Sequence, residues 1–164
     1  MEHTTLILGI GNILLGDEGF GVHVAQRLKR RTLPENVRVE EGHTGGFKLL
    51  GLLEGVERLI VVDAMITDLP PGQVRLLGTD AGLSEPGKKV VCFHQFGILE
   101  LLNIWTLIGR EPEVFFLVAS PVDMSMGMNL SPQTVAAADS AAELIMELSV
   151  NNFAGLERSK SVCS

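Results

Sequence analysis

A chain of 164 residues is long enough to bury one core and too short for a second catalytic domain. With 46% hydrophobic and 20% charged residues it has the balance of an ordinary globular protein rather than a disordered or membrane-embedded one. A formal net charge of −7 argues against a nucleic-acid footprint, which needs clustered Lys and Arg, and it favours a cation or a neutral or basic peptide as partner.

The amino terminus has no basic segment. Its apolar run, Leu6 to Ile10, is broken by Gly11 and Asn12 before reaching signal-peptide or membrane length, so a cytoplasmic protein with no membrane partner is expected. That run reads as a buried parallel strand. The glycine-rich stretch Gly9 to Gly21 follows, with Asp17 and Glu18 inside it, and leads into a helix on which Phe20, Val24 and Leu28 recur four apart. Arg27, Lys29, Arg30 and Arg31 sit at the negative end of that helix, and Pro34 breaks it. Val37 to Glu41 is a second strand ending in the turn Gly42-His43-Thr44-Gly45-Gly46, and a short helix is expected over Phe47 to Leu53.

Leu59 to Val62 is a third buried strand, and it ends at Asp63. The prolines at 70 and 71 mark a turn before a fourth strand, Gln73 to Leu77. Without an intervening helix this strand is expected at an edge, with an antiparallel arrangement open to it. Residues 78 to 88 read as a polar surface loop. Val90 to Phe93 is apolar and ends at His94, and Ile98, Leu101, Leu102, Trp105 and Ile108 have the spacing of a helix over Gly97 to Leu107. Val114 to Ala119 is the last core strand. Ser131 is a good N-cap with Pro132 behind it, opening a helix whose buried stripe is read as Val135, Ala138, Ala142, Ile145 and Leu148. Residues 1–150 thus form one α/β domain, and 151–164 read as a flexible tail. With two cysteines, Cys92 and Cys163, no disulfide framework is expected.

Alternating strands and helices predict a three-layer domain, a mostly parallel twisted β-sheet with helices on both faces. Ligands of such sheets bind off the carboxyl ends of the strands. Those ends carry Asp17 and Glu18, Glu41 and His43, Asp63, His94 and Asp123. Each has two readings. Asp17 and Glu18 either answer a helix dipole or present oxygen to a metal; Asp63 either forms a turn or ligates; His94 either caps the next helix or ligates. If Glu18, Asp63 and His94 converge, they make a nitrogen and oxygen site for a borderline divalent ion such as nickel or zinc, with positions left open for a substrate.

The run Gly9-x-Gly11-Asn12, followed by aliphatic residues, Gly16, Asp17, Glu18 and Gly19, resembles the amino-terminal signature of the nickel-iron hydrogenase maturation endopeptidases. The likeness extends to about residue 148, with three separated positions matching as well as the loop. It implies an endopeptidase that removes the carboxy-terminal extension from the precursor of the hydrogenase large subunit once nickel is installed. It also implies that Glu18, Asp63 and His94 bind that nickel, which the precursor supplies and for which zinc or cadmium can substitute, and that the enzyme works as a monomer. Asp17 stands beside them as a candidate base. One departure is visible: relatives commonly carry Asp-Gly-Gly-Thr after the second strand, whereas this chain has Glu41-Gly42-His43-Thr44. His43 is then either a further ligand or a surface residue, and the second is favoured.

Three rival readings are weaker or of another class. A dinucleotide fingerprint fails because its third glycine falls on Leu14 and two acids would face the pyrophosphate. Cys92 beside His94 suggests a thiol nucleophile, but Val90-Val91-Cys92-Phe93 has the character of a buried strand. A non-proteolytic nickel carrier would use the same three ligands and is separated from a peptidase only by conversion of precursor to a shorter product.

Overall fold

A computed structural model of the chain describes residues 4–44, 46–78, 103–104, 106–107, 109, 112–156 and 161–163. The predicted strand Val90 to Phe93, with Cys92 and His94, lies outside them, as do the loop from 79 to 88 and most of the helix placed at Gly97 to Leu107. Residues 103, 104, 106 and 107 of that helix are described and are helical. Among the described residues no helix is long and apolar enough to cross a membrane.

The sheet is ordered β2-β1-β3-β5-β4-β6. The interior strand β1 (Thr5–Ile10), every residue of which is buried, is flanked by β2 (Val37–His43) and β3 (Arg58–Ala64). These three and β5 (Glu113–Ala119) run parallel. Side-chain alternation sends their residues to two separate cores. Ile7, Ile60 and Val62 pack with Phe20, Val24 and Leu28 of helix α1 (Phe20–Lys29) and with the closing helix α2 (Pro132–Val150). Leu6, Leu8, Leu59 and Val61 pack on the other face with Leu49 and Leu53 of the 3-10 stretch Gly46–Leu53, where a short helix is predicted. Three layers result, as expected.

The chain leaves β1 over one face to reach β2 and returns over the other to reach β3. This reversal opens a crevice between the carboxyl ends of β1 and β3. Two close approaches hold the crevice's lip together. A Cβ on Gly21 would lie 2.0 Å from the carbonyl oxygen of Val62, and one on Gly11, where φ is 140°, would lie 2.0 Å from that of Glu18. Only glycine lets the first turn of α1 sit this near β3.

Three expectations need correcting. The fourth strand, β4 (Val74–Gly78), is antiparallel to β5 as allowed for, because the nine residues joining it to β3 are too few for a crossover. It is not an edge: β6 (Ser161–Cys163) pairs along it. Residues 151–156 and 161–163 are therefore not a loose tail. Phe153 is 1% exposed, Arg58 stands 5.6 Å above its ring, and the Asn152 carbonyl accepts from Arg58 Nη1 at 3.0 Å. An apolar ring so buried outweighs the mobility usual near a terminus. Finally, Val135 faces solvent on α2, and the buried face comprises Thr134, Ala137, Ala138, Ala141, Ala142, Leu144, Ile145 and Ser149. Alanines on that face let α2 approach α1 closely.

Candidate active site at the carboxyl rim

The residues between β1 and α1 form a 3-10 turn, Gly16–Gly19, that packs against β3. Glu18 is half-buried on this turn, and Asp63 is 1% exposed near the carboxyl end of β3, the neighbouring strand. The fold thus brings the elements carrying two of the three expected donors to one crevice. His94 lies outside the described residues. Among the described residues no cluster of three metal-ligating groups occurs.

Asp17 points elsewhere. Its side chain is fully buried, and it makes no cap for its own turn or for α1. Oδ2 accepts from the amides of Val122 at 2.8 Å and Asp123 at 2.9 Å and from the Ser131 hydroxyl at 2.7 Å; Oδ1 accepts from the Ser131 amide at 2.7 Å. Burial pushes its carboxyl up, but the bonds from Asp123, Ser131 and Val122 outweigh this and hold it below the usual carboxylate range. A carboxylate so held, with its lone pairs in use, is a poor proton acceptor near neutral pH. It instead sits at the amino terminus of a 19-residue helix, where the dipole favours an anion.

The remaining rim residues are engaged locally. Glu41 accepts from Gln26 Nε2 at 2.9 Å and from Lys29 Nζ at 3.0 Å, and the Gln26 bond leads in holding its pKa low. Asp123 folds back on Ser125, accepting from its amide at 2.9 Å and its hydroxyl at 2.6 Å. His43 is exposed at φ 47°, and its carbonyl accepts from the Gly11 amide at 2.7 Å. That left-handed backbone is one a histidine tolerates better than most residues.

Met124, Met126 and Met128 are exposed rather than core, at 38%, 89% and 60%. Their loop borders a groove of about 240 Å³ with Gly16 on its wall. Leu15 bridges to Gly127, and the Gly16 amide donates to the Gly127 carbonyl at 2.8 Å.

Sequence reading missed His23. It is half-buried on α1, with a buried Nε2 that has no hydrogen-bond partner. Burial and then Arg27 lower its pKa, against the Met128 carbonyl and Asp17. A folded-state pKa below the unfolded one means that the stability His23 contributes is complete above about pH 6.5 and is lost as pH falls below it. The melting temperature of the wild-type protein relative to His23→Leu should therefore decline between pH 7 and pH 5. A difference that stays constant with pH would refute this.

A three-layer α/β sheet with Glu18 and Asp63 on adjoining elements at its topological reversal has the form of the open α/β sheets that bind ligands at their strand ends. Residues 22–148 match the family model described as HycI, hydrogenase maturation protease. The chain is 36% identical over 156 residues to the hydrogenase expression/formation protein HupD of Bradyrhizobium diazoefficiens, covering 91% of this chain and 81% of that protein. It is 31% identical over 144 residues to the hydrogenase 2 maturation protease of Escherichia coli, covering 86% and 87%. The solved structure of the hydrogenase maturating endopeptidase HybD from E. coli superposes with a TM-score of 0.77 at 28% identity, covering 93% of this chain and 94% of that one. The chain belongs to the hydrogenase maturation protease family, and its activity is that of an endopeptidase.

Proposed function

We propose that the enzyme trims the carboxy-terminal extension of a nickel-iron hydrogenase large-subunit precursor, and that the nickel already seated in that precursor is what it recognises. The observation behind this reading is the placement of Glu18 and Asp63 on adjoining elements of the β1/β3 crevice. His94, following the strand expected at Val90 to Phe93, is the third donor in this scheme. A carboxylate pair with one imidazole suits a borderline divalent ion and leaves coordination positions for the substrate's own ligands. Nickel is then part of the substrate, and zinc or cadmium in its place would engage the same donors. Completing the ion's coordination makes metal loading a condition for binding the scissile segment. The family assignment favours this peptidase reading over a nickel carrier. The enzyme would act as a monomer in the cytoplasm.

Purified enzyme is incubated with precursor prepared with and without nickel, and product mass is followed. Trimming of the nickel-loaded form alone is expected. Equal trimming of both forms would end the recognition proposal, and trimming of neither would end the assignment of this substrate.

A further inference from the structure

Asp17 stands next to Glu18 in sequence, yet its carboxylate leaves the crevice and spans to a segment more than a hundred residues away. It gathers two amides at the start of the 122–131 segment and the amide and hydroxyl of Ser131 at its end. The backbone repeats the link: the Asp17 amide donates to the Asp123 carbonyl at 2.9 Å, and the Gly127 amide to the Leu14 carbonyl at 2.8 Å. The turn bearing Glu18 is thereby held between β3 on one side and the head of α2 on the other.

We infer that Asp17 is a positioning residue for the peptide hydrolysis: by bolting the Gly16–Gly19 turn to residues 122–131 it fixes where Glu18 stands in the crevice. This rests on the role proposed above for Glu18. The bond pattern requires a full carboxylate. Asparagine keeps one acceptor oxygen, and its amide group would confront an N–H that now donates to Asp17. A turn freed in this way shifts Glu18 by a fraction of a residue length, and misplacement of about 1 Å in a catalytic arrangement costs on the order of a hundredfold.

The test compares Asp17→Asn, Ser131→Ala, Ser131→Thr and Ile145→Val with wild type in trimming of the nickel-loaded precursor, alongside amide hydrogen exchange without substrate. Asp17→Asn is expected to lower kcat/KM by about tenfold to a hundredfold and to speed exchange at Val122, Asp123 and Ser131. Ser131→Ala, which leaves the Asp17 carboxylate in place, should produce the same pattern at roughly two- to tenfold, and Ser131→Thr, which keeps the hydroxyl, should restore trimming. Ile145→Val, a buried change in α2, lowers the melting temperature without touching the clamp and should trim normally. If Asp17→Asn does not fold, the Ser131 pair carries the test.

Normal trimming by Asp17→Asn overturns the inference. So does a hundredfold loss of kcat with exchange unchanged and Ser131→Ala fully active, which would make Asp17 a group acting on the substrate. Equal loss in Ile145→Val would reduce the clamp to general stability and overturn it as well. Failure of the wild type to trim the precursor strikes the proposed function instead, while the exchange measurement still reads the clamp.

Discussion

Replacing Asp63 with asparagine is expected to leave a folded protein that no longer trims the nickel-loaded precursor. The change is isosteric and sits at the rim end of β3, beyond the run Leu59 to Val62 that builds the two cores. The sheet keeps its packing, and what is lost is one negative oxygen donor. Losing a residue that merely orients a metal ligand costs roughly 10–100-fold, so removing a direct donor should cost more than that. Glu18→Gln and His94→Ala should fall into the same class, because a three-donor site lacking any one donor no longer completes the ion's coordination. The readout is product mass in a single-turnover reaction, with circular dichroism to establish the fold. An Asp63→Asn protein that trims at the wild-type rate would remove Asp63 from the site and leave the nickel scheme without its buried anchor.

The second large effect concerns folding. Gly21→Ala should yield little or no soluble protein. The added methyl carbon would stand 2.0 Å from the Val62 carbonyl oxygen and 2.4 Å from that of Ile10, backbone atoms of β3 and β1. No rotamer change relieves a clash with backbone, so α1 must move off the sheet and open the core formed by Phe20, Val24, Ile60 and Val62. A loss above about 4 kcal/mol is the scale of such core disruption, comparable to much of the stability of a domain this size. Gly51→Ala is the matched control: it lies on an exposed 3-10 turn with nothing within 4 Å of a new Cβ, and it should change stability by no more than about 0.5 kcal/mol. Urea melts of the two variants decide the matter, and a Gly21→Ala protein as stable as Gly51→Ala would show that the close approach carries no weight.

Much of this molecule is written in short-range pattern. The apolar runs at Leu6, Leu59 and Val114 are parallel strands because each must bury both faces, and the period of Phe20, Val24 and Leu28 allows only one side of a helix to meet the sheet. Given those elements, the rule that ligands bind at strand ends points to one rim and to Asp17, Glu18, Glu41, His43, Asp63, His94 and Asp123 together, and it is the family resemblance that selects Glu18, Asp63 and His94 among them. The apparent tail, by contrast, reads as polar and close to a terminus, and Phe153 is buried only because Arg58 and the amino ends of the strands stand ready to receive it. On the stripe of α2, Ala138, Ala142 and Ile145 are buried as expected and Val135 is not, because Thr134 takes the inward position beside it.

By itself, then, the amino-acid order determined the succession β1, α1, β2, β3, β4, β5 and α2 and the family to which the chain belongs, since each of these follows from local periodicity and a compact motif. Tertiary structure alone decided that Asp17 faces the head of α2 rather than the crevice, that Glu41 is tied to Gln26 and Lys29, and that β6 closes the sheet. Those outcomes depend on which hydrogen-bond donors arrive from more than ten to more than a hundred residues away, and spacing along a chain holds no record of that meeting.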